Sequence, residues 1–172
     1  MLKRKQISAQ LQQIFNYPLT LVVAAMGYGK TVAVRDFLEE IKTEYVWLSV
    51  ESDETSANMA WDTLTRHIAE NDPVIGNRLN TLGFPLSAAD RYRIFDLLEE
   101  WTFGAEKILV IDDYHYIDAP EFDLLLENLV RKRINGLHLL IISRRRPAMN
   151  IQELQLKDYC HRLKGALFEL SQ

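Results

Sequence analysis

The chain has 172 residues, of which 48% are hydrophobic and 26% charged, with a net charge of −4 and a single cysteine. At that length a chain buries roughly 70% of its unfolded surface, so one domain is expected, and the mildly acidic balance excludes a whole-chain attraction to nucleic acid or anionic membrane. The lone Cys160 excludes an intrachain disulfide and a cysteine-rich zinc site, and suits a reducing cytoplasm.

The basic start, Met1-Leu-Lys-Arg-Lys5, runs into polar Gln6-Ile-Ser-Ala-Gln10 where a signal peptide would place its apolar core. The longest apolar run, Leu19 to Met26 apart from Thr20, is far shorter than the roughly 20 residues that cross a bilayer. A cytoplasmic chain with no membrane partner is therefore expected. Ser8 can cap a short helix carrying Ile7, Leu11, Ile14 and Phe15 on one side, ended before Pro18. Leu19–Val23 reads as a strand, followed by a glycine-punctuated turn and a helical pattern that begins at Lys30, buries Val34, Phe37, Leu38 and Ile41, and stops near Lys42. Tyr45–Val50 is a second strand. Ser56 caps a helix with Trp61, Leu64 and Ile68 in one stripe, which Asn71-Asp72-Pro73 stops. Residues 74–86, with Gly76, Gly83 and Pro85, read as a loop holding one helical turn.

Ser87 opens the next helix, whose apolar face is Ile94, Leu97, Leu98 and Trp101 and whose end lies near Gly104. Lys107–Asp112 is a continuous apolar run of the kind buried on both faces of a parallel sheet. Asp118-Ala-Pro-Glu121 has the chemistry of a capping box, with Asp118 as N-cap, before a helix bearing Phe122, Leu125, Leu126 and Leu129 that Gly136 can end. Leu137–Ile142 is a fourth buried strand. After it come Ser143-Arg-Arg-Arg-Pro147, an irregular stretch, and a fifth strand over Ala166–Leu170. Strands alternating with helices predict an α/β fold: a five-stranded, mostly parallel sheet with helices on both faces in a three-layer αβα arrangement. Ligands of such sheets sit beyond the carboxyl ends of the strands, where the turn after the first strand, Asp112-Asp113 and Ser143-Arg144 all fall.

Two motifs carry chemistry. Residues 24–31, Ala-Ala-Met-Gly-Tyr-Gly-Lys-Thr, follow the P-loop pattern G-x-x-x-x-G-K-[ST] with the small Ala24 in place of the first glycine. Glycines let main-chain N–H groups turn inward around phosphate oxygens, and the helix N-terminus adds its partial positive charge behind them. Ala25, Met26, Gly27, Tyr28, Gly29, Lys30, Thr31 and Val32 would then line the phosphates of ATP or ADP. Lys30 would reach the β- and γ-phosphates and the Thr31 hydroxyl would coordinate Mg²⁺. The second motif is the run of apolar residues ending in Asp112-Asp113, a Walker B pattern in which Asp112 is on the metal side and Asp113 is placed to polarise the attacking water. Arg144, at the end of the fourth strand, could reach the γ-phosphate. Arg145 and Arg146 read as a solvated loop, and Arg131-Lys132-Arg133 as basic residues favouring a helix C-terminus. Neither cluster has the interleaved aromatics of a nucleic-acid surface. His115 can lie beside the metal site or be a hydrogen-bonded structural histidine, and both readings stay open; His67, His138 and His161 show no ligand spacing.

Residues 18–31, Val46-Trp-Leu-Ser49, Leu109-Val-Ile-Asp-Asp-Tyr-His115 and Leu139-Leu-Ile-Ile-Ser-Arg144 resemble the N-terminal NTPase domain of the large ATP-binding LuxR-family transcriptional regulators of the MalT type, members of the STAND class of P-loop ATPases. The resemblance runs through nearly the whole chain and includes Gly165-Ala-Leu-Phe-Glu-Leu170. Ala24 and Met26 depart from the residues common there, and no helical lid, superhelical repeat domain or helix-turn-helix follows within these residues. The resemblance implies that residues 1–172 form one P-loop domain, a fragment of a larger regulator. It would bind ATP or ADP with Mg²⁺, hydrolyse slowly, self-associate with nucleotide in the full-length protein, and meet DNA only through a C-terminal helix-turn-helix absent here. Two rivals are a free-standing ATPase that remodels protein or nucleic acid and a nucleotide-binding module without hydrolysis.

Overall fold

The computed structural model describes residues 2–25 and 28–163. In chain order it contains α1 (Leu2–Leu11), a 3-10 turn (Gln12–Asn16), β1 (Leu19–Val23), α2 (Tyr28–Ile41), β2 (Tyr45–Ser49), α3 (Ala57–Asn71), α4 (Pro73–Leu82) and α5 (Ala88–Trp101). There follow β3 (Lys107–Asp112), a second 3-10 turn (Tyr114–Tyr116), α6 (Pro120–Lys132), β4 (Leu137–Ser143), α7 (Ile151–Leu156) and β5 (Cys160–Leu163). The five strands form one sheet in the order β2-β3-β4-β1-β5, every neighbouring pair parallel. β4 thus lies between the strand that leads into the P-loop and the strand that ends in Asp112.

Alternation along the central strands builds two cores on one sheet. Ile108, Val110, Leu140, Ile142 and Val22 meet α1 and α2 through Leu11, Val34, Phe37 and Leu38. Leu109, Ile111, Leu139, Ile141 and Leu21 meet the opposite layer through Trp61, Ile94, Phe122 and Leu126. All seven residues of β4 are buried, as a strand covered on both faces requires. The three-layer α/β architecture expected from the alternating pattern is the one observed.

Several local expectations need correction. Ser8 lies inside α1 instead of capping it, because the helix already runs from Leu2. Residues 74–86 hold a ten-residue helix, α4, in place of a loop. Asp72 ends α3 and its side chain caps α4 by accepting from Ile75 N–H at 3.1 Å, with Pro73 in the first turn where its missing N–H costs nothing. Gly76 does not break this helix: a Cβ there would lie 2.2 Å from the Ala69 amide nitrogen, so the glycine lets α4 cross α3 backbone to backbone. Ala119, not Asp118, is the N-cap of α6, and its side chain makes no capping bond. At the far end of α6 Arg133, φ 53°, takes the left-handed position expected of Gly136. Gly136 turns the chain two residues before β4's second residue instead, where its φ of 84° and the Ala105 carbonyl, 2.5 Å from any Cβ, leave room for no side chain. The stretch after Pro147 is ordered into α7 and β5. The strand expected over 166–170 lies outside the described residues, among which β5 at Cys160–Leu163 is the fifth strand of the sheet.

Candidate functional site

The carboxyl ends of β1, β3 and β4 bring the motif residues together. Lys30, in the first turn of α2, is 3% exposed. Its ammonium donates to the Ala24 carbonyl at 2.5 Å, one residue beyond β1, and to the Ser143 carbonyl at 3.4 Å, at the end of β4. Burial pulls its pKa below the usual lysine range and the Arg144 charge pulls the same way, while Asp113 and Asp112 oppose them. Ala24 N–H donates to the same Ser143 carbonyl at 3.2 Å, extending the β1–β4 ladder into the loop. Ala24 is not among the non-glycine residues with left-handed backbone, so the missing first glycine imposes no strain on its φ.

Across from Lys30, the Thr31 hydroxyl donates to Asp112 Oδ2 at 2.9 Å, and Asp113 N–H donates to Asp112 Oδ1 at 2.9 Å. Asp112 is 5% exposed and burial raises its pKa above the ordinary aspartate value, with Thr31 drawing it back. A nearly buried carboxylate with a hydroxyl against it, drawn only weakly by the Lys30 charge and in no ion pair among the described residues, is a donor set suited to a divalent ion, hard oxygen ligands on two converging elements. The chain reverses at Asp113, which takes φ 56° and ψ 42° and leads into the 3-10 turn at Tyr114. Tyr114 pins that turn to α6: its hydroxyl, held by burial well above the usual tyrosine range, donates to Asp123.

Of the residues expected to line phosphates, Ala25 is exposed at the end of β1, while Tyr28, Gly29, Lys30, Thr31 and Val32 form the opening of α2. Val32 is 53% exposed, its side chain away from the core. Met26 and Gly27 lie outside the described residues. Arg144 follows β4 directly and is exposed, beside Lys30 in charge if not in contact. His115 was open between two readings; its Nδ1 accepts the Arg144 N–H at 3.1 Å, and Arg145 Nη2 donates to its carbonyl at 3.2 Å. No spacing rule could find that contact, since its partners are 29 residues apart. A groove of about 580 Å³ between α4 and α5, bordered by the exposed Arg78–Glu100 pair, lies away from these strand ends and holds none of the motif residues. Among the described residues no helix is long and apolar enough to cross a membrane.

No family model matches the chain. The chain is 29% identical over 164 residues to the HTH-type transcriptional regulator MalT of Yersinia pestis (strain Pestoides F) and 26% identical over 163 residues to that of Klebsiella pneumoniae (strain 342). Each match covers 90% of this chain and 17% of the regulator, so the chain spans about one sixth of the length of these relatives. Among solved structures it is similar to a chain of Drosophila ORC bound to AT-rich DNA and Cdc6, with a TM-score of 0.60 and 14% identity over 95% of this chain and 53% of that one. A chain of Drosophila ORC bound to DNA aligns with a TM-score of 0.54 at 14% identity, over 94% of this chain and 88% of that one. The chain has the three-layer fold of P-loop NTPases and resembles, along nine-tenths of its length, a segment of the MalT regulators.

Proposed function

We propose that this chain is the nucleotide-switch domain of a MalT-like transcriptional regulator, a single P-loop domain over residues 1–172 that belongs to a longer cytoplasmic protein. The observation that carries the reading is the pairing of Thr31 with Asp112 at 2.9 Å beside the buried Lys30, a hydroxyl, a carboxylate and an ammonium converging at the start of one helix. In this reading the main chain from Ala25 to Val32 holds the phosphates of ATP or ADP, and Lys30 turns from its carbonyl partners toward the β- and γ-phosphates. Thr31 and Asp112 would hold Mg²⁺, which would supply positive charge against the developing charge of the phosphates. Asp113 orients the attacking water and Arg144 reads whether the third phosphate is present. Slow hydrolysis returns the switch to rest, nucleotide favours self-association of the longer protein, and DNA is read by a helix-turn-helix outside these residues.

Thermal unfolding with and without Mg-ATP or Mg-ADP tests this, wild type against Lys30→Ala. A ligand held only by the folded chain stabilises it by about 2.7 kcal/mol at one hundred times its Kd, and the wild type is expected to rise accordingly while Lys30→Ala stays flat. A flat wild type, or equal shifts in both proteins, overturns the nucleotide reading. The turnover rate measured on the same samples separates a switch, slow and retentive, from a motor.

A further inference from the structure

The turn after Asp113 and the end of β4 are joined through one residue. His115 lies on the 3-10 turn Tyr114–Tyr116, anchored from below by the Tyr114–Asp123 hydrogen bond and alongside by the Tyr116 ring, 4.4 Å from its own. Its Nδ1 accepts the main-chain N–H of Arg144, and its carbonyl accepts from the Arg145 guanidinium. Two successive residues beyond β4 are thereby tied to the segment that carries Asp113. A main-chain amide can only donate, so Nδ1 of the neutral ring is the acceptor and the ring hydrogen sits on Nε2. Nε2 is buried and has no hydrogen-bond partner among the described residues. Burial, opposed by the pull of Asp113 and aided by the charges of Arg144, Arg145 and Lys30, lowers the affinity of the ring for a second proton. A buried donor without acceptor is costly and rare, and the ring tolerates that cost while keeping its grip on Arg144. Such a compromise marks a position held for function more than for stability.

We propose that His115 is the positioning residue for Arg144: it fixes the main chain from which that guanidinium extends, and so sets the preference of the site for a nucleoside triphosphate over a diphosphate. This deepens the nucleotide-switch reading and rests on it for the triphosphate half of the claim. His115 itself touches no nucleotide in this scheme. It locks the carboxylate turn and the arginine segment into one unit, so that both face the third phosphate together.

The side chains of asparagine and glutamine separate the idea from a bulk effect. Asparagine places an acceptor near the Nδ1 position, whereas glutamine reaches toward Nε2 and alanine offers nothing. Hydrogen exchange at the Arg144 amide, followed by NMR in the unliganded chain, is expected to be slow in wild type and His115→Asn and at least about tenfold faster in His115→Ala and His115→Gln, the loss of one hydrogen bond. The ratio of ADP to ATP dissociation constants is expected to fall about tenfold in the same two variants and in Arg144→Ala, with ADP affinity retained. His115→Ala combined with Arg144→Ala is expected to be no worse than Arg144→Ala alone, since one residue acts through the other. Unchanged exchange in His115→Ala, an unchanged nucleotide ratio, or multiplicative losses in the double variant overturn the proposal. If the wild type binds no nucleotide at all, the switch reading fails by itself, the triphosphate half falls with it, and the exchange measurement still decides whether His115 holds Arg144.

Discussion

Asp112 is expected to weaken the chain that carries it. Its carboxylate is nearly buried, and burial is the main reason it holds its proton more tightly than an exposed aspartate. The hydroxyl of Thr31 and the amide of Asp113 compensate in part, but both are neutral donors. Replacing the carboxylate by an amide removes the charge while leaving an oxygen for one of those donors. Asp112→Asn is therefore expected to raise the unfolding midpoint of the unliganded chain by about 2–4 °C, roughly 1 kcal/mol, and to abolish any dependence of nucleotide stabilisation on Mg²⁺. Calorimetry with and without the metal checks both halves, and a lowered midpoint would show that Asp112 is compensated within the fold. At this scale the convergence of Lys30, Thr31, Asp112 and Asp113 at the strand ends was legible, because each motif is a short run of residues in sequence. The contact of His115 was not: its partner amide lies just beyond β4, and a single histidine after two aspartates has no period or spacing to betray it.

Among elements, α4 shows why glycine and proline mislead when counted as breakers. Pro73 occupies the one helical turn where proline is harmless, and Gly76 faces the Ala69 backbone at a distance no side chain can enter. Two effects compete in Gly76→Ala. Better helix propensity favours alanine by about 1 kcal/mol, but a methyl group 2.2–2.6 Å from the Ala69 amide nitrogen, Cα and Cβ forces the helices apart at a cost of about 3 kcal/mol or more. The net expectation is a loss of at least about 2 kcal/mol, read as a fall of 4–8 °C or so in the midpoint; a neutral or stabilised variant would mean that α4 moves freely on α3. The doubly buried strands β3 and β4 were legible because an uninterrupted apolar run has few other uses. β5 was not, since Cys160-His-Arg-Leu163 is an edge strand that buries only its first and last residues.

In the molecule as a whole, the two cores share their strands, and they are expected to unfold as one cooperative unit. Trp47 packs on the α1–α2 side, while Trp61 and Trp101 lie in the opposite core. Variants retaining only Trp47 or only Trp61 are expected to report the same denaturant midpoint by fluorescence, coincident with far-ultraviolet circular dichroism. Separated midpoints would mean that one helical layer detaches from the sheet first. The alternation of strands with helices announced this architecture, and parallel crossovers left few other ways to arrange it. The carbonyl grip of Lys30 has a last consequence. In the resting chain the ammonium is hooked to the rims of two neighbouring strands, and any anion that claims it must first unhook it. A small monovalent anion gains too little from one contact to prise it loose, whereas a polyphosphate, able to bond at several points at once, is expected to do so; the same cation that attracts anions would thus discriminate against the commoner ions of its surroundings.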